Sequence, residues 1–543
     1  MQVGSFAEDE ALELVLERVA QWADKHEGVR ELVQYLHGFP LAVVQAAEYA
    51  RVYKTLTPGE YLEELKSARL ELAKDQRHMI EDEYPHCFPE VVKLSLDKIL
   101  QSGGKHAEDA GRALRKLALV DTEAIPLDLL TPEEREAVFL LQEHSLVTED
   151  EQGRAAMHAL TQLVVRDLLT DATQRSALVA VLTGSLMEQM QTFDSSKPKT
   201  YKTCTCRAYG AHVKALLTHV GDEGADATEE VARLAYAAGC FFSEVTSAFA
   251  DARRMFERAL AIRQALQGQN ADSEGVADCL SFLGSVCERM GEYALALQRH
   301  KRALEMRTRV FRHDHLDVAT SYNNIGIVYD SQGRYKEALQ EYEKCLKIRL
   351  DKLGHEHPDV AASYNNMANV YDSQGKYEQA LEYHQKALSI FITTHGDKHL
   401  DVAKSYNNIG MVYDSQGKYD DALDYYQKSL KIKITAVGSD HLDVAASYNN
   451  IGLVHEKLAD FEKALFHHQK ALKIRTRVVG QDHLDVAASQ YNIGVVHWKL
   501  RNWKQVTQCF EDAYKIRCKV FGEEHPSSKD TLKWLNQAKS NSG

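Results

Sequence analysis

Tyr322-Asn323-Asn324-Ile325-Gly326 returns as Tyr364-Asn365-Asn366-Met367-Ala368, then as Tyr406-Asn407-Asn408-Ile409-Gly410 and Tyr448-Asn449-Asn450-Ile451-Gly452, each copy 42 residues after the last. A worn copy, Gln490-Tyr491-Asn492-Ile493-Gly494, closes the series. A fixed period between about 20 and 50 residues marks a stacked array, in which each unit buries its apolar face only against its neighbours. Residues 317–521 are therefore the stretch around which the chain is organised.

Each period reads as two helices, with apolar residues recurring at three- and four-residue spacing. The first runs from the Asp of the His-Leu/Pro-Asp-Val-Ala segment to the Tyr-Asp-Ser-Gln-Gly turn. Asp359, Asp401 and Asp443 are the expected N-caps, because a short carboxylate accepts from free N–H groups at a helix start. Gly333, Gly375 and Gly417 are expected to end that helix in the left-handed conformation. The second helix is predicted to start near Tyr335, Tyr377 and Tyr419 and to end at Gly354, Gly396 and Gly438. The fold class that follows is all-α, a solenoid of helix pairs.

The period resembles the tetratricopeptide repeat, in the 42-residue form of kinesin light chains. Small residues recur where paired helices must approach: Gly326, Ala368, Gly410, Gly452 and Gly494, with Ala338, Ala380, Ala422 and Ala464 opposite. Large ones fill the space beside them: Tyr329, Tyr371 and Tyr413, then Tyr335, Tyr377, Tyr419, Phe461 and Trp503. An earlier copy carries Leu283-Gly284, Gly291, Tyr293 and Ala296, and a weaker one begins near Val231 with Ala252, Phe256 and Ala259. The resemblance covers residues 229–539.

The totals narrow the function class. At 44% hydrophobic and 27% charged residues, the composition is that of an ordinary soluble globular protein. A net charge of −14 argues against wholesale phosphate contact, and so against nucleic acid as partner. The nine cysteines form no CxxC pair, and Cys204-Thr205-Cys206 is too close and too isolated for zinc, so free thiols and a reducing, cytoplasmic compartment are expected. No run of 18 apolar residues marks a membrane span, and no basic-then-apolar start marks a signal segment.

Upstream of the repeats, residues 1–80 read as helical and 81–175 as a small mixed segment, with 176–228 a helical spacer. Gly38-Phe39-Pro40-Leu41-Ala42-Val43 resembles the GLPLA motif of NB-ARC and related signal-transducing (STAND) ATPases, whose Pro lies against the nucleotide base. A helix restarting with Pro in its first turn explains the same residues. Residues 85–175 read as helix, helix, short strand, turn, short strand, helix, which resembles the winged-helix segment of that family. Met157-His158-Ala159 stands where the family has Met-His-Asp, whose His reaches a phosphate; here Ala159 replaces the Asp. No GxxxxGK[ST] loop occurs, and without its N–H cradle and magnesium-binding hydroxyl this polypeptide is not expected to hydrolyse ATP by itself. His158 and Pro40 are thus expected to pack rather than to bind nucleotide. Thr192 to Thr205 is expected to be a loop and Gly221 to Thr228 a break.

In a stack of helix pairs the first helices line a concave face. The second Asn of each motif, Asn324, Asn366, Asn408, Asn450 and Asn492, recurs there once per repeat. An amide offers both a donor and an acceptor, so a column of them can hold the backbone of an extended peptide without reading its sequence. The resemblance implies the same, since kinesin light chains use such columns on peptide backbones. A packing role between repeats would account for the column equally simply. The first Asn, at Asn323, Asn365, Asn407 and Asn449, forms a second candidate column.

Farther along the same helix, Asp330, Asp372, Asp414 and Glu456 form an acidic row, read either as a solvated rim or as a preference for basic or polar peptides. Kinesin light chains favour acidic cargo peptides, and this row speaks against that class. The loop histidines His315, His357, His399, His441, His483 and His525 are spaced one repeat apart, roughly 10 Å, too far for neighbours to share a metal ion. They are expected to pack the turn between repeats, and no metal or cofactor is expected. No nucleophile–base or metalloprotease motif occurs. The expected function is non-enzymatic: a scaffold or adaptor binding an extended protein segment, as the sensor arm of a STAND-like switch. Two alternatives stand beside it, a kinesin-light-chain-like cargo adaptor and a piece of a STAND ATPase. The residues leave partner identity and oligomeric state open.

Overall fold

The computed structural model describes residues 6–37, 39–74, 88–102, 105–168, 172–191, 202–220, 226–244, 246–268 and 272–542. The chain forms two compact units, one comprising Met1–Gln191 with Thr205–Leu234 and the other including Ala235–Gly543.

The first unit opens with four helices, α1 (Glu8–Arg18), α2 (His26–Tyr35), α3 (Pro40–Val52) and α4 (Pro58–Lys74). Pro40 is the first residue of α3, where its missing N–H costs no hydrogen bond. This is the helix restart; Gly38 of the same motif lies outside the described residues. Next come α5 (Phe88–Gln101), α6 (Lys105–Leu117), strand β1 (Ile125–Pro126), α7 (Pro132–Glu136), α8 (Val138–Glu143), β2 (Thr148–Glu149), β3 (Arg154–Ala156) and α9 (Ala159–Leu168).

The sheet is antiparallel in the order β1-β3-β2, with Ile125 opposite Ala155 and Thr148 opposite Ala156. Strand β1 was not legible in the sequence: it is two residues long, and its Pro126 is tolerable only because β1 lies at the sheet edge. Two longer helices follow, α10 (Ala172–Gln191) and α11 (Lys202–His219). The loop expected over Thr192 to Thr205 is thus corrected at its end, since Lys202 already begins a helix; residues 192–201 lie outside the described set. Of the expected break at Gly221 to Thr228, residues 226–228 are non-helical and the remainder lies outside the described set.

The second unit is the array. Helix α12 (Glu229–Glu244) leads into it, followed by α13 (Phe249–Gln267). The first helices of the repeats are α14 (Glu274–Arg289), α16 (Leu316–Ser331), α18 (Pro358–Ser373), α20 (Leu400–Ser415), α22 (Leu442–Lys457), α24 (Leu484–Lys499) and the closing α26 (Pro526–Ser542). The second helices are α15 (Tyr293–Phe311), α17 (Tyr335–Leu353), α19 (Tyr377–His395), α21 (Tyr419–Val437), α23 (Phe461–Val479) and α25 (Trp503–Phe521).

The first helices α16, α18 and α20 end as expected, while α22 and α24 make the same left-handed turn on Ala459 and Arg501, each at φ +58°. Gly333 takes φ +71°, its N–H bonds Asp330 O at 2.8 Å, and Arg334 N–H bonds Tyr329 O at 2.8 Å. Both bonds satisfy carbonyls that the helix end would otherwise leave open.

The start of each first helix differs from expectation. The N-cap is the histidine, not the aspartate. His315, His357, His399, His441 and His483 accept the N–H of Asp317, Asp359, Asp401, Asp443 and Asp485 on Nδ1. Asp359, Asp401 and Asp443 sit inside the first turn, where their charge faces the positive end of the helix dipole. An imidazole nitrogen two residues ahead of the free N–H has the same reach as a capping carboxylate, and this resolves the repeating histidine.

Within a pair, the small residue of the first helix lies against a ring of the second. A Cβ on Gly326 would stand 2.6 Å from Tyr342 Cε1, and one on Gly410 2.9 Å from Tyr426 Cε1. Gly284 and Gly452 face His300 and His468 in the same way, and Gly494 faces Phe510. These rings are buried, and so are His384 and Ala368 in the remaining repeat. Between pairs, a cation on the second helix reaches into the next first helix. Arg307, Arg349, Lys433 and Arg475 donate to the hydroxyls of Ser321, Ser363, Ser447 and Ser489 at 2.8–2.9 Å.

Candidate functional site

First helices pack on their successors, α14 on α16, α16 on α18, α18 on α20 and α22 on α24, whereas among the described residues the second helices make no comparable contact with one another. The stack is tighter on the first-helix side, so that side is the inner face.

Both asparagine columns lie on it, and all of their residues are half-buried. They are not independent columns. Asn366 Nδ2 donates to Asn323 Oδ1 of the preceding repeat at 2.8 Å, Asn450 to Asn407 at 2.9 Å and Asn492 to Asn449 at 2.8 Å. Asn324 reaches Ser281 Oγ at 3.2 Å, the hydroxyl that stands in for an Asn one repeat earlier. The second Asn of each repeat is thus bonded back to the first Asn of the repeat before it, a rung between neighbours. One rung is absent: among the described residues Asn408 makes no such bond, and Asn365 Oδ1 instead lies 2.8 Å from His384 Nδ1. Asn449 Oδ1 also lies 3.2 Å from His468 Nδ1.

An amide in a rung keeps hydrogen-bonding capacity. A rung donor uses one of its two N–H groups, and an accepting Asn uses at most one of its own, Asn323 to Asn324 Oδ1 and Asn407 to Met411 Sδ, each at 3.5 Å. The half-exposed edges of the ladder therefore still present donors and acceptors along the inner face.

Asp330, Asp372 and Asp414 stand seven residues, about two helical turns, beyond the first Asn. All three are half-buried, and so is Glu456. Burial pushes the carboxyls of Asp330 and Glu456 up. Asp372 is also pushed up, first by burial and then by the charge of Asp414. Asp414 is paired with Lys457 Nζ at 2.7 Å, yet its Oδ1 is buried and unbonded, as is Asp372 Oδ1. A row that was only a solvated rim would not be desolvated in this way.

The sequence reading missed the residues between amides and carboxylates. Ile327 and Met411 are exposed, 37% and 44%, and Leu453 and Val495 are half-buried at the same repeat position. Asn323, Ile327 and Asp330 are spaced i, i+4, i+7 and form one stripe, repeated as Asn407, Met411 and Asp414. The signal was there, an apolar residue recurring four places after an asparagine on a polar helix face, but burial in the core is the ordinary fate of such a residue. The inner face is thus an amide ladder, a row apolar except at exposed Asn369, and a carboxylate row side by side.

In the first unit, His158 O caps α9 by accepting Gln162 N–H at 3.0 Å, and burial pushes its imidazole down. Cys240, Cys279, Cys287, Cys345, Cys509 and Cys518 are free thiols. Burial pushes the Cys509 thiol up to about 11, so it is not a reactive thiolate. Among the described residues no helix is long and apolar enough to cross a membrane.

Known proteins were compared with the chain. No curated protein sequence matches it. Solved structures with matching folds include BtubC (BKLC) from P. vanneervenii, at 22% identity over 43% of this chain and 91% of that one, TM-score 0.34. A putative kinesin light chain of Podosopora anserina with nearly identical TPR-like repeats matches at 20% identity over 38% of this chain and 97% of that one, TM-score 0.32. A STAND protein with a tetratricopeptide-repeat sensor from Pyrococcus horikoshii matches at 14% identity over 98% of this chain and 74% of that one, TM-score 0.37. Scores this low carry no weight for function. The family model described as "Tetratricopeptide repeat" matches residues 246–308, 275–351, 332–393, 359–435, 433–477 and 443–519. These matches run without a gap from residue 246 to 519, half of the chain, and the chain belongs to the tetratricopeptide-repeat family.

Proposed function

We propose that the array is a non-enzymatic scaffold whose inner face holds an extended segment of a partner protein. The edges of the ladder, Asn324, Asn366, Asn408, Asn450 and Asn492 with Asn323, Asn365, Asn407 and Asn449, take the backbone. Exposed Ile327 and Met411 take apolar side chains, and Asp330, Asp372 and Asp414 favour basic or polar ones. The observation that carries this reading is exposed Ile327 and Met411, two repeats apart with Asn369 between them, flanked by half-exposed amides. Ile327 and Met411, 37% and 44% exposed, offer apolar contact beside the amides, and Met411 Sδ also accepts from Asn407 Nδ2 at 3.5 Å.

Asn408 is the clean probe, because it makes no rung and its loss leaves the stack intact. In the full chain, Asn408→Ala is expected to weaken capture of array-selected peptides about tenfold with no change in the thermal midpoint. The loss of an amide pair to a backbone is worth about 1.4 kcal/mol. Peptide arrays are expected to select Lys/Arg-containing segments. Equal recovery by wild type and variant, or selection of acidic segments, sinks the assignment.

The first unit extends the proposal to a sensor arm of a STAND-like switch. The run α6-β1-α7-α8-β2-β3, closed by a three-stranded antiparallel sheet, supports a winged-helix-like segment of the kind such switches carry. A peptide held by the array is then expected to change amide hydrogen exchange within residues 105–168. Exchange there that ignores the peptide leaves a plain adaptor.

A further inference from the structure

The joint between α19 and α20 is built differently from the others. Where other second helices carry the cation that reaches the next serine, this one carries Phe391, and the Ser405 hydroxyl is buried without a partner. The missing amide rung, Asn408 to Asn365, belongs to the same joint.

Three other side chains meet there. His395 ends α19, His399 caps α20, and Asp401 lies in the first turn of α20. His395 stands where the other repeats have Phe311, Leu353, Val437, Val479 or Phe521. Phe311 and Phe521 stack on the capping histidines His315 and His525 at 4.4 and 4.2 Å. His395 keeps the position, 4.2 Å from the His399 ring, but adds a ligating nitrogen. Asp401 Oδ2 lies 3.4 Å from His395 Nδ1 and 3.4 Å from His399 Nδ1. One donor atom from each residue lies within 4.8 Å of the others.

Bonds of about 2.0–2.1 Å at tetrahedral angles set the ligand atoms of a zinc ion about 3.3–3.4 Å apart. Two edges of that tetrahedron are already present. Two imidazoles and one carboxylate suit zinc better than magnesium or calcium, which take oxygen.

We propose that His395, His399 and Asp401 form a divalent-metal site of the zinc class, with water in the fourth position, which clips α19 to α20 at the joint lacking its cation and its rung. Spacing between repeats does not count against it, because all three ligands come from one turn. His399 would yield the Nδ1 lone pair that now accepts Asp401 N–H at 3.3 Å, the longest of the capping bonds in the array. Lys404 occupies Asp401 Oδ1 at 3.1 Å and leaves Oδ2 to the ion. A histidine that only replaced a stacking phenylalanine would have no reason to share one carboxylate oxygen with its neighbour.

The test titrates zinc sulfate into the full chain, His395→Phe and Asp401→Asn at neutral pH, read by calorimetry and by thermal midpoint. Phe is the residue of two other repeats at this position, so His395→Phe keeps the packing, and Asp401→Asn keeps the helix start. The chain is expected to bind one more zinc equivalent, at micromolar concentration, than either variant. Its zinc-induced rise in midpoint is expected to vanish in both. Identical stoichiometry and identical midpoint shifts in all three proteins overturn the site.

Discussion

Gly326→Ala is expected to destabilise the array by about 1–3 kcal/mol, the usual cost of forcing an extra carbon into a packed core. The added methyl would stand 2.6 Å from Cε1, 2.8 Å from Cδ1 and 3.0 Å from Cζ of Tyr342, a ring that is 2% exposed. Tyr342 is buried in one cluster with Ile325, Ala338, Met367 and Val370. The better helix propensity of alanine, worth about 1 kcal/mol, offsets only part of the clash. The array itself indicates the rescue. Its one alanine at this position, Ala368, stands with His384, although Gly284 and Gly452 also face histidines, His300 and His468, where a Cβ would come within 2.7–2.8 Å of the ring. Tyr342→His in the Gly326→Ala background is therefore expected to recover part of the lost stability, although Tyr342→His alone loses it. Urea unfolding of the four proteins of this cycle, followed by circular dichroism, measures the coupling. Simple additivity would mean that the two helices do not meet as described.

Acid is expected to loosen the array between pH 6.5 and about 4. His300, His384 and His468 are buried, and burial pushes each imidazole down from 6.5 to about 4; neighbouring Arg307 adds to this at His300, and His467 and Arg475 add to it at His468. The unfolded chain protonates these rings first, so the folded state binds fewer protons throughout that interval. Their contribution is fully present above pH 6.5, is lost as pH falls, and has gone once the folded rings protonate near 4. Each ring amounts to a few kcal/mol at most. Asp330, Asp372 and Glu456 act in the opposite sense, since their raised carboxyls take up protons earlier in the folded state. His468→Phe isolates the effect, because Phe510 already fills the equivalent place against Gly494. Urea midpoints from pH 7.5 to 4 are expected to fall less steeply in this variant, with its advantage growing as pH drops. Parallel profiles would place the acid sensitivity elsewhere.

The chain itself determined the period, the helix pairing, the left-handed glycine at the ends of α16, α18 and α20, and the small residues at the closest approach of paired helices. These follow from local periodicity and from residues that only one backbone geometry or one volume can accept, and repetition at 42 residues makes them unmistakable. Tertiary structure decided what depends on partners far along the chain. Asn366 bonds Asn323 because consecutive repeats lie side by side, which no window of sequence shows. The cap fell to His399 rather than Asp401 because two polar side chains two residues apart compete for the same N–H groups, and only the entry angle of the turn chooses between them. Ile327 and Met411 drew no notice in the sequence; their exposure, 37% and 44%, shows only once the inner face is in place. A repeated sequence states which contacts recur; the joint at α19 and α20, where Phe391 and His395 depart from the pattern and Asn408, unchanged in type, makes no rung, shows its meaning only once the helices are placed beside one another.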